Sequence, residues 1–151
     1  MWKSAKTVIL AGLALILVGA IVPTQAATPE QAQALAEKAA ALVASQGEKA
    51  FATLSDPNGG YIDGDLYVVV VDHQGVVRVN INPKLIGVNM WEATDPDGVK
   101  FTQLAVKTGD ASGIGWYSYK FTNPITKKIQ PKRAWVHKVG EFYVFSGAYI
   151  E

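Results

Sequence analysis

The first residues that could bind a polar molecule lie in the segment 76–82. Apolar and polar side chains alternate along it, so Arg78, Asn80 and Asn82 fall on one face of a predicted strand. One guanidinium and two amides in register form either a solvated polar face or the floor of a polar pocket. The chemistry available to such a floor is recognition by charge and hydrogen bonds.

A second cationic candidate lies on the strand predicted over residues 132–139. Successive side chains of a strand point to opposite faces, so Lys132 and Arg133 cannot both enter one pocket. Alternation alone does not say which of the two faces a pocket.

Aromatic residues supply the remaining candidates. Tyr117 and Tyr119 share one face of their predicted strand, and Trp116 lies on the other face. Tyr67 belongs to a buried strand, and Trp91 lies in a long irregular segment. An aromatic wall with a hydroxyl suits an amphipathic ligand, although packing on the face of a sheet explains each ring as well.

No arrangement of residues in the sequence is typical of an enzyme or of a metal site. The chain has no cysteine, and its two histidines, His73 and His137, have no neighbouring histidine that would complete a metal or haem site. The G-x-S-x-G motif of serine hydrolases is absent. The D-P-D-G sequence at residues 95–98 lacks the further oxygen ligands of a calcium loop, so it predicts a turn. We therefore expect no catalytic residues, no metal and no cofactor.

The first 26 residues have the layout of a secretory signal peptide. Lys3 and Lys6 precede a continuous apolar run over residues 7–22, and small residues follow, with cleavage expected after Ala26. The alternative is an uncleaved membrane anchor, because the run approaches the ~17 residues that a spanning helix needs. Both interpretations place residues 27–151 outside the cytoplasm, in the periplasm or secreted. The net charge of +1 and the scattered basic residues argue against nucleic-acid binding.

The elements that would position these side chains make an α+β domain around one five-stranded antiparallel sheet. Thr28, Pro29 and Gln31 predict a capped helix that runs to about Leu54, with a weak point at Gly47. A short helix is predicted over residues 99–108. The predicted strands cover residues 66–71, 76–82, 114–121, 132–139 and 142–149.

Several motifs give the chain a more specific likeness. They are V-V-V-D-H-Q-G-V-V, N-P-K-L-I-G-V-N, D-P-D-G-V-K-F and the closing A-W-V-H-K-V-G-E-F-Y-V-F-S-G-A-Y. Their order over residues 28–151 resembles the extracellular single Cache domain, a PAS-like small-molecule sensor module of chemoreceptors and sensor kinases. Family members often carry a histidine just before the N-P-x-L-x-G motif, where this chain has Val79, Asn80 and Ile81.

The resemblance implies a pocket between the sheet and the crossover segment that binds a small organic acid or a similar metabolite. Lys132 stands where the family carries a lysine after its proline, and we expect it to anchor the acid; a solvated strand-end lysine is the alternative. Asn80, Tyr119 and Tyr67 would orient the ligand, with Arg78 as a further polar contact. Trp116 and Trp91 would exclude water.

We therefore expect a freestanding exported Cache domain, residues 27–151, that binds a small organic ligand for signalling or chemotaxis. A membrane receptor or kinase would be its partner. The alternative is a structural or protein-interaction domain with a filled pocket, which would form a homodimer through the N-terminal helix.

Overall fold

A capped helix begins the structured part of the chain in the computed structural model, which describes residues 25–151. Helix α1 spans Pro29–Gln46. The Thr28 hydroxyl accepts a hydrogen bond from the Gln31 backbone N–H at 3.2 Å, and the Thr28 N–H donates to the Gln31 side chain at 2.8 Å. This confirms the predicted capping box. The predicted signal peptide, apart from its last two residues, lies outside the described residues.

The predicted weak point in this helix is also confirmed. Helix α1 ends at Gly47, which has a positive φ of 59°, a conformation that glycine adopts readily. A short 3₁₀ turn, Gly47–Lys49, then leads into helix α2, Ala50–Ser55. No helix in residues 25–151 is long and apolar enough to cross a membrane.

Alanines dominate the buried face of α1. Ala32, Ala36, Ala39 and Ala40 are almost fully buried, and the larger Val43 joins them near the end of the helix. Small side chains let the helix axis approach the sheet closely, so α1 covers one face of the sheet over the strands Leu66–Asp72, Ile129–Val139 and Phe142–Tyr149.

The sheet has six antiparallel strands, one more than predicted. The predicted α+β class with a single antiparallel sheet is confirmed, and the additional strand is the two-residue β1. The strands are β1 Ile62–Asp63, β2 Leu66–Asp72, β3 Val77–Val79, β4 Ile114–Thr122, β5 Ile129–Val139 and β6 Phe142–Tyr149. Their order is β1-β2-β6-β5-β4, with β3 also paired to β2. Helix α3, Phe101–Ser112, packs mainly on β4.

Strand β2 is buried on both faces, which is why residues 66–71 read as a continuous apolar run. Val68 and Val70 pack in the cluster beneath α1 and α2. Tyr67, Val69 and Val71 pack on the opposite face in the larger core cluster. The two faces of the sheet therefore have separate cores, and the candidate site belongs to the second one.

Strand β3 is shorter than predicted. The pairing of β2 with β3 shifts register between Val70 and Val71, so Val77 and Val79 pack in different cores although they are two residues apart. The strand ends at Val79. The predicted alternation over residues 76–82 is therefore wrong, because a bulge breaks the period on which it depended.

Asp95 anchors the long crossover segment to the sheet. Its carboxylate accepts hydrogen bonds from the backbone N–H groups of Asp97, Val99 and Lys120, each at 2.9 Å. With Gly98 at φ 80°, these bonds confirm that D-P-D-G is a turn. Lys120 lies on β4, so a single buried carboxylate joins the turn to the edge of the sheet.

We expect Asp95→Asn to destabilise the protein by about 1–3 kcal/mol at neutral pH, because an amide nitrogen cannot accept the Lys120 N–H. Burial alone would raise the pKa of Asp95, but the three hydrogen bonds more than offset that effect and the pKa is lowered. A lowered pKa gives stability that is present above the unfolded-state pKa of ~3.9 and is lost as pH falls through the folded-state pKa.

Urea unfolding of both proteins from pH 7 down to pH 2 checks this prediction. The stability difference should narrow as the medium becomes acidic. Asp97→Asn is the matched control, because Asp97 is exposed and its salt bridge to Lys120 should contribute little. Equal stability of Asp95→Asn and the parent at pH 7 would contradict the anchoring role.

Candidate functional site

The site is built on the sheet face that α1 does not cover. Cross-strand pairing places Lys132 between Tyr119 and Tyr149 in one row. The next row places Ala134 between Tyr117 and Gly147. The two small residues in the second row leave space above the sheet, which the Lys132 side chain occupies over Gly147. We call Lys132 and the four tyrosines around it the tyrosine cage: Tyr67, Tyr117, Tyr119 and Tyr149.

Lys132 is buried, with only 1% of its surface exposed. Its Nζ atom lies 3.9 Å from the centroid of the Tyr67 ring and 4.6 Å from that of Tyr149. Within residues 25–151, this ammonium has neither an anionic partner nor a hydrogen-bond acceptor. The cation–π contacts offset part of the desolvation cost, and the positive charge remains available to an anion.

Gly147 makes room for this lysine. A Cβ atom at position 147 would lie 2.8 Å from Lys132 Cε and 2.9 Å from Ala134 Cβ. The lysine stem therefore lies across β6 and brings its ammonium to Tyr67 on β2. A larger residue at position 147 would displace the stem, so the position of the charge depends on a glycine in β6, the strand between Lys132 and the Tyr67 ring.

The tyrosine hydroxyls of the cage form a short hydrogen-bonded chain. Tyr149 donates to the carbonyl oxygen of Thr122 at 2.8 Å, and the Tyr67 and Tyr149 hydroxyls are 3.2 Å apart. Burial raises the pKa of Tyr117, Tyr119 and Tyr149. These three hydroxyls are therefore neutral near pH 7. Tyr149 already donates to Thr122, whereas the buried Tyr117 hydroxyl has no hydrogen-bond partner within residues 25–151.

A small cavity lies between this floor and the crossover segment. Its volume is ≈ 30 Å³, room for about one or two water molecules. It shares Tyr67, Asn80, Leu85 and Phe121 with a recess of ≈ 700 Å³ that opens to the surface. The cavity is lined by Tyr67, Val69, Val71, Val77, Asn80, Leu85, Met90, Phe101, Thr102, Tyr119, Phe121 and Phe145.

Few polar groups face this cavity. Asn80 is buried, and its side-chain oxygen accepts a hydrogen bond from the Asn82 backbone N–H at 2.8 Å. Its amide nitrogen has no acceptor within the part of the chain that the structure describes. Thr102, at the start of α3, is also buried against the cavity. A mainly apolar cavity with a few hydrogen-bond donors suits a small ligand that has one polar end.

The structure brings four of the seven predicted site residues together. Tyr67, Asn80 and Tyr119 line the cavity. Lys132 does not line the cavity itself, but its ammonium contacts the ring of Tyr67, which does line the cavity. The alternative of a solvated lysine is wrong, because Lys132 lies at the buried centre of the floor.

Arg78 does not belong to this group, and we correct its predicted place. Its Nε donates to the Asp72 carboxylate at 3.0 Å, and its Nη2 lies 3.0 Å from the same oxygen. The side chain is 41% exposed. Asp72 already accepts the Gln74 and Val76 N–H groups, so Arg78 completes the turn between β2 and β3 and does not reach the cavity.

Trp116 lies on the opposite face of the sheet, and its predicted role of excluding water from the pocket is corrected. Its ring packs against Trp135, with centroids 5.1 Å apart, and beneath the Arg133 guanidinium at 4.7 Å. On this face Glu37 of α1 accepts one hydrogen bond from the Trp135 indole N–H at 2.6 Å, and its other oxygen lies 2.8 Å from His137 Nδ1. Alternation on the strand separates Trp116 from Tyr119.

Trp91 lies outside the cavity as well, which corrects its predicted place. Its side chain sits over the Gly75 turn, where a Cβ atom would come within 3.0 Å of it. Its carbonyl oxygen accepts a hydrogen bond from the Gln103 side chain at 2.9 Å. The ring lines a separate groove along α3. Trp91 therefore holds the crossover in place from its outer side.

Two important members of the site were missed. Tyr149 follows from the sequence in retrospect, because alternation on β6 puts it on one face with Phe145 and Gly147. Phe101 stacks on Tyr119, with ring centroids 5.3 Å apart, and no sequence pattern indicates this contact. Among residues 25–151 no group of three or more histidines and carboxylates could hold a metal ion. The expectation of no metal or cofactor stays a prediction.

One protein-family model and several solved structures are similar to this chain. The sequence model described as "Single Cache domain 2" matches residues 20–151. No curated protein is significantly similar to the chain.

Solved structures include three similar domains, each covering 81% of this chain. A methyl-accepting chemotaxis protein from Vibrio parahaemolyticus RIMD 2210633 is 18% identical over 88% of its own chain, with a TM-score of 0.70. A periplasmic sensor domain of a chemotaxis protein is 28% identical over 90% of its chain, with a TM-score of 0.63. A Cache chemosensory domain, described for carboxylic acid recognition, is 19% identical over 92% of its chain, with a TM-score of 0.69.

Proposed function

The chain belongs to the single Cache domain 2 family of sensor domains, and on this premise we propose that it binds a small organic acid in the chamber above the tyrosine cage. The observation that carries the proposal is the buried Lys132 ammonium, which has no anionic partner among residues 25–151. A carboxylate is the ligand group that repays the desolvation of such a charge.

The ligand would enter through the recess beside Asn80 and Phe121. Because the cavity holds only ≈ 30 Å³, an acid of several heavy atoms needs the Tyr67 ring to move away from Lys132. The carboxylate would then replace the ring as the partner of the ammonium. The Asn80 amide and the Tyr119 hydroxyl line the same cavity and could complete its hydrogen bonds.

Two relatives support this assignment by analogy. One similar Cache domain is described for carboxylic acid recognition, and another is a periplasmic sensor domain of a chemotaxis protein. We infer that this protein is likewise exported, as its N-terminal sequence predicts, and that it reports ligand occupancy to a membrane receptor or kinase.

One observation favours a second candidate function. A cavity of ≈ 30 Å³ is also what a structural or protein-interaction domain with a filled core would contain. In that case the α1 surface would bind a second copy of the chain or another protein, and Lys132 would serve only to position the tyrosines.

A thermal-shift screen distinguishes these candidates. The protein is refolded from denaturant to remove molecules acquired during expression, then tested against short carboxylic acids, amines and amino acids. A ligand at ~100 times its dissociation constant should stabilise the protein by about 2.7 kcal/mol, which raises the unfolding temperature by several degrees. We expect carboxylates to give this shift and amines of the same length to give none. No shift with any acid would favour the interaction domain.

A further inference from the structure

The hairpin tip between β4 and β5 exposes the most solvent-accessible large apolar side chains in the described chain. Ile125 is 65% exposed and Ile129 is 57% exposed. Lys127 and Lys128 lie between them and are also exposed. We call residues 124–129 the hairpin tip. Two isoleucines beside two lysines make a small surface with an apolar and a cationic part.

The hairpin tip is an ordered structure. Asn123, which is buried, accepts hydrogen bonds from the Ile125 and Thr126 N–H groups at 2.8 Å and 3.3 Å. Its backbone also pairs with Lys127 and Lys128, and Lys127 adopts a positive φ of 61°. The turn therefore presents its isoleucines to solvent in a defined conformation, and a rigid apolar surface of this kind is typical of an interaction site.

The tip lies at the end of the domain where the chain arrives from its N-terminal segment. Gln25, Ala26 and Ala27 line a recess of ≈ 500 Å³ together with Ile125 and Thr126. The sequence immediately before it carries the apolar run 7–22. A segment of that composition is inserted into a membrane during export, whether or not it is later cleaved.

Charge at this end of the domain is divided between the tip and the recess beside it. Lys127 lines a second recess together with Lys84. The nearby acids, Asp63, Asp65 and Glu151, line the recess of ≈ 500 Å³ beside the tip. Lys127 and Lys128 are exposed and lie between the two exposed isoleucines, a combination of cationic and apolar side chains that is typical of interfacial segments that rest on anionic lipid.

We propose that the hairpin tip rests on an anionic lipid bilayer, with Ile125 and Ile129 in the interface and Lys127 and Lys128 at the headgroups. This contact would orient the domain with its other end away from the membrane. Strand β5 has 11 residues, so the turn at Gly140 and Glu141 lies roughly 35 Å away along the strand. That turn is the internal reference for the test.

Residues 1–151 contain no cysteine, so a single introduced cysteine can be labelled specifically. Ile125→Cys and, as the matched control, Glu141→Cys are labelled with an environment-sensitive NBD fluorophore. The labelled proteins are then mixed with vesicles of phosphatidylglycerol and phosphatidylethanolamine. We expect emission from position 125 to shift to the blue and to be quenched by acyl-brominated lipid. Emission from position 141 should stay at its aqueous wavelength.

Three outcomes would overturn the proposal. Equal emission from the two positions on vesicle-bound protein would show that the tip does not approach the bilayer. An unchanged blue shift on neutral phosphatidylcholine vesicles, or in the double variant Lys127→Gln with Lys128→Gln, would show that the tip does not recognise anionic lipid. A blue shift that needs membrane proteins and resists brominated lipid would identify a protein partner instead.

Discussion

Lys132→Met is expected to lower the affinity for a small carboxylic acid roughly 10- to 150-fold, equivalent to the 1.5–3 kcal/mol of a charge-assisted hydrogen bond. Methionine has a similar length and fills the space over Gly147 without a charge. Lys132 is 1% exposed as a residue, so solvent screens its attraction for a carboxylate less than it would at the surface. Isothermal titration calorimetry with the best acid of the thermal-shift screen measures the loss.

The same substitution should not lower the unfolding temperature of the protein measured without added ligand. Replacing a buried charge that lacks an anionic partner by an apolar side chain removes a desolvation cost, which offsets the lost cation–π contacts. Lys138→Met is the matched control on the same strand. Lys138 is exposed and paired with Asp110, so its removal should leave acid affinity unchanged.

Two results would contradict this role. Unchanged acid affinity in Lys132→Met would show that another group carries the carboxylate. A large fall in unfolding temperature without a change in affinity would make Lys132 a structural residue and would support the interaction domain.

Gly147→Ala is expected to destabilise the protein by about 1–3 kcal/mol and to weaken acid binding as well. The added Cβ atom would lie 2.8 Å from Lys132 Cε, 2.9 Å from Ala134 Cβ and 3.0 Å from the Arg133 carbonyl oxygen. The backbone oxygen cannot move without disturbing the pairing of β5 with β6. The lysine stem can move, but only by taking its ammonium away from Tyr67.

A double-mutant cycle separates these two contributions. In the Lys132→Ala background, Gly147→Ala should cost less stability than in the parent, because one of the three close contacts is gone. Urea unfolding of the four proteins measures this difference, and calorimetry on the Gly147→Ala single variant measures acid binding. Equal costs in both backgrounds would show that Lys132 does not depend on this glycine.

Local patterns in the sequence were sufficient for most of the fold. The capping box at Thr28 and the weak point at Gly47 depend on residues close in sequence, so they could be predicted without tertiary information. The alternation in β4 and β5 also separated Tyr119 from Trp116 and Lys132 from Arg133 correctly. Covalent geometry requires that separation in any strand that has no bulge.

Alternation determines which side chains share a face, but it does not determine what covers that face. Helix α1 packs on one face of β5 and β6. Trp116 therefore lies on the face that the helix covers, and Lys132 lies on the opposite face, towards the cavity. The register shift at Val70 turns Asn80 towards the cavity, and the Asp72 carboxylate holds Arg78 away from it. Both depend on contacts between elements, for which the local sequence contains no periodic signal.

The sequence by itself determined the family and the order of the main elements, and it showed that only one of Lys132 and Arg133 could face a pocket. The tertiary structure alone decided that the cation stands behind Tyr67, above a glycine on the neighbouring strand, next to a cavity of ≈ 30 Å³. The physical reason is that local propensity and side-chain period act within one segment. The size and lining of a binding chamber depend instead on how side chains from four strands and a crossover segment pack together.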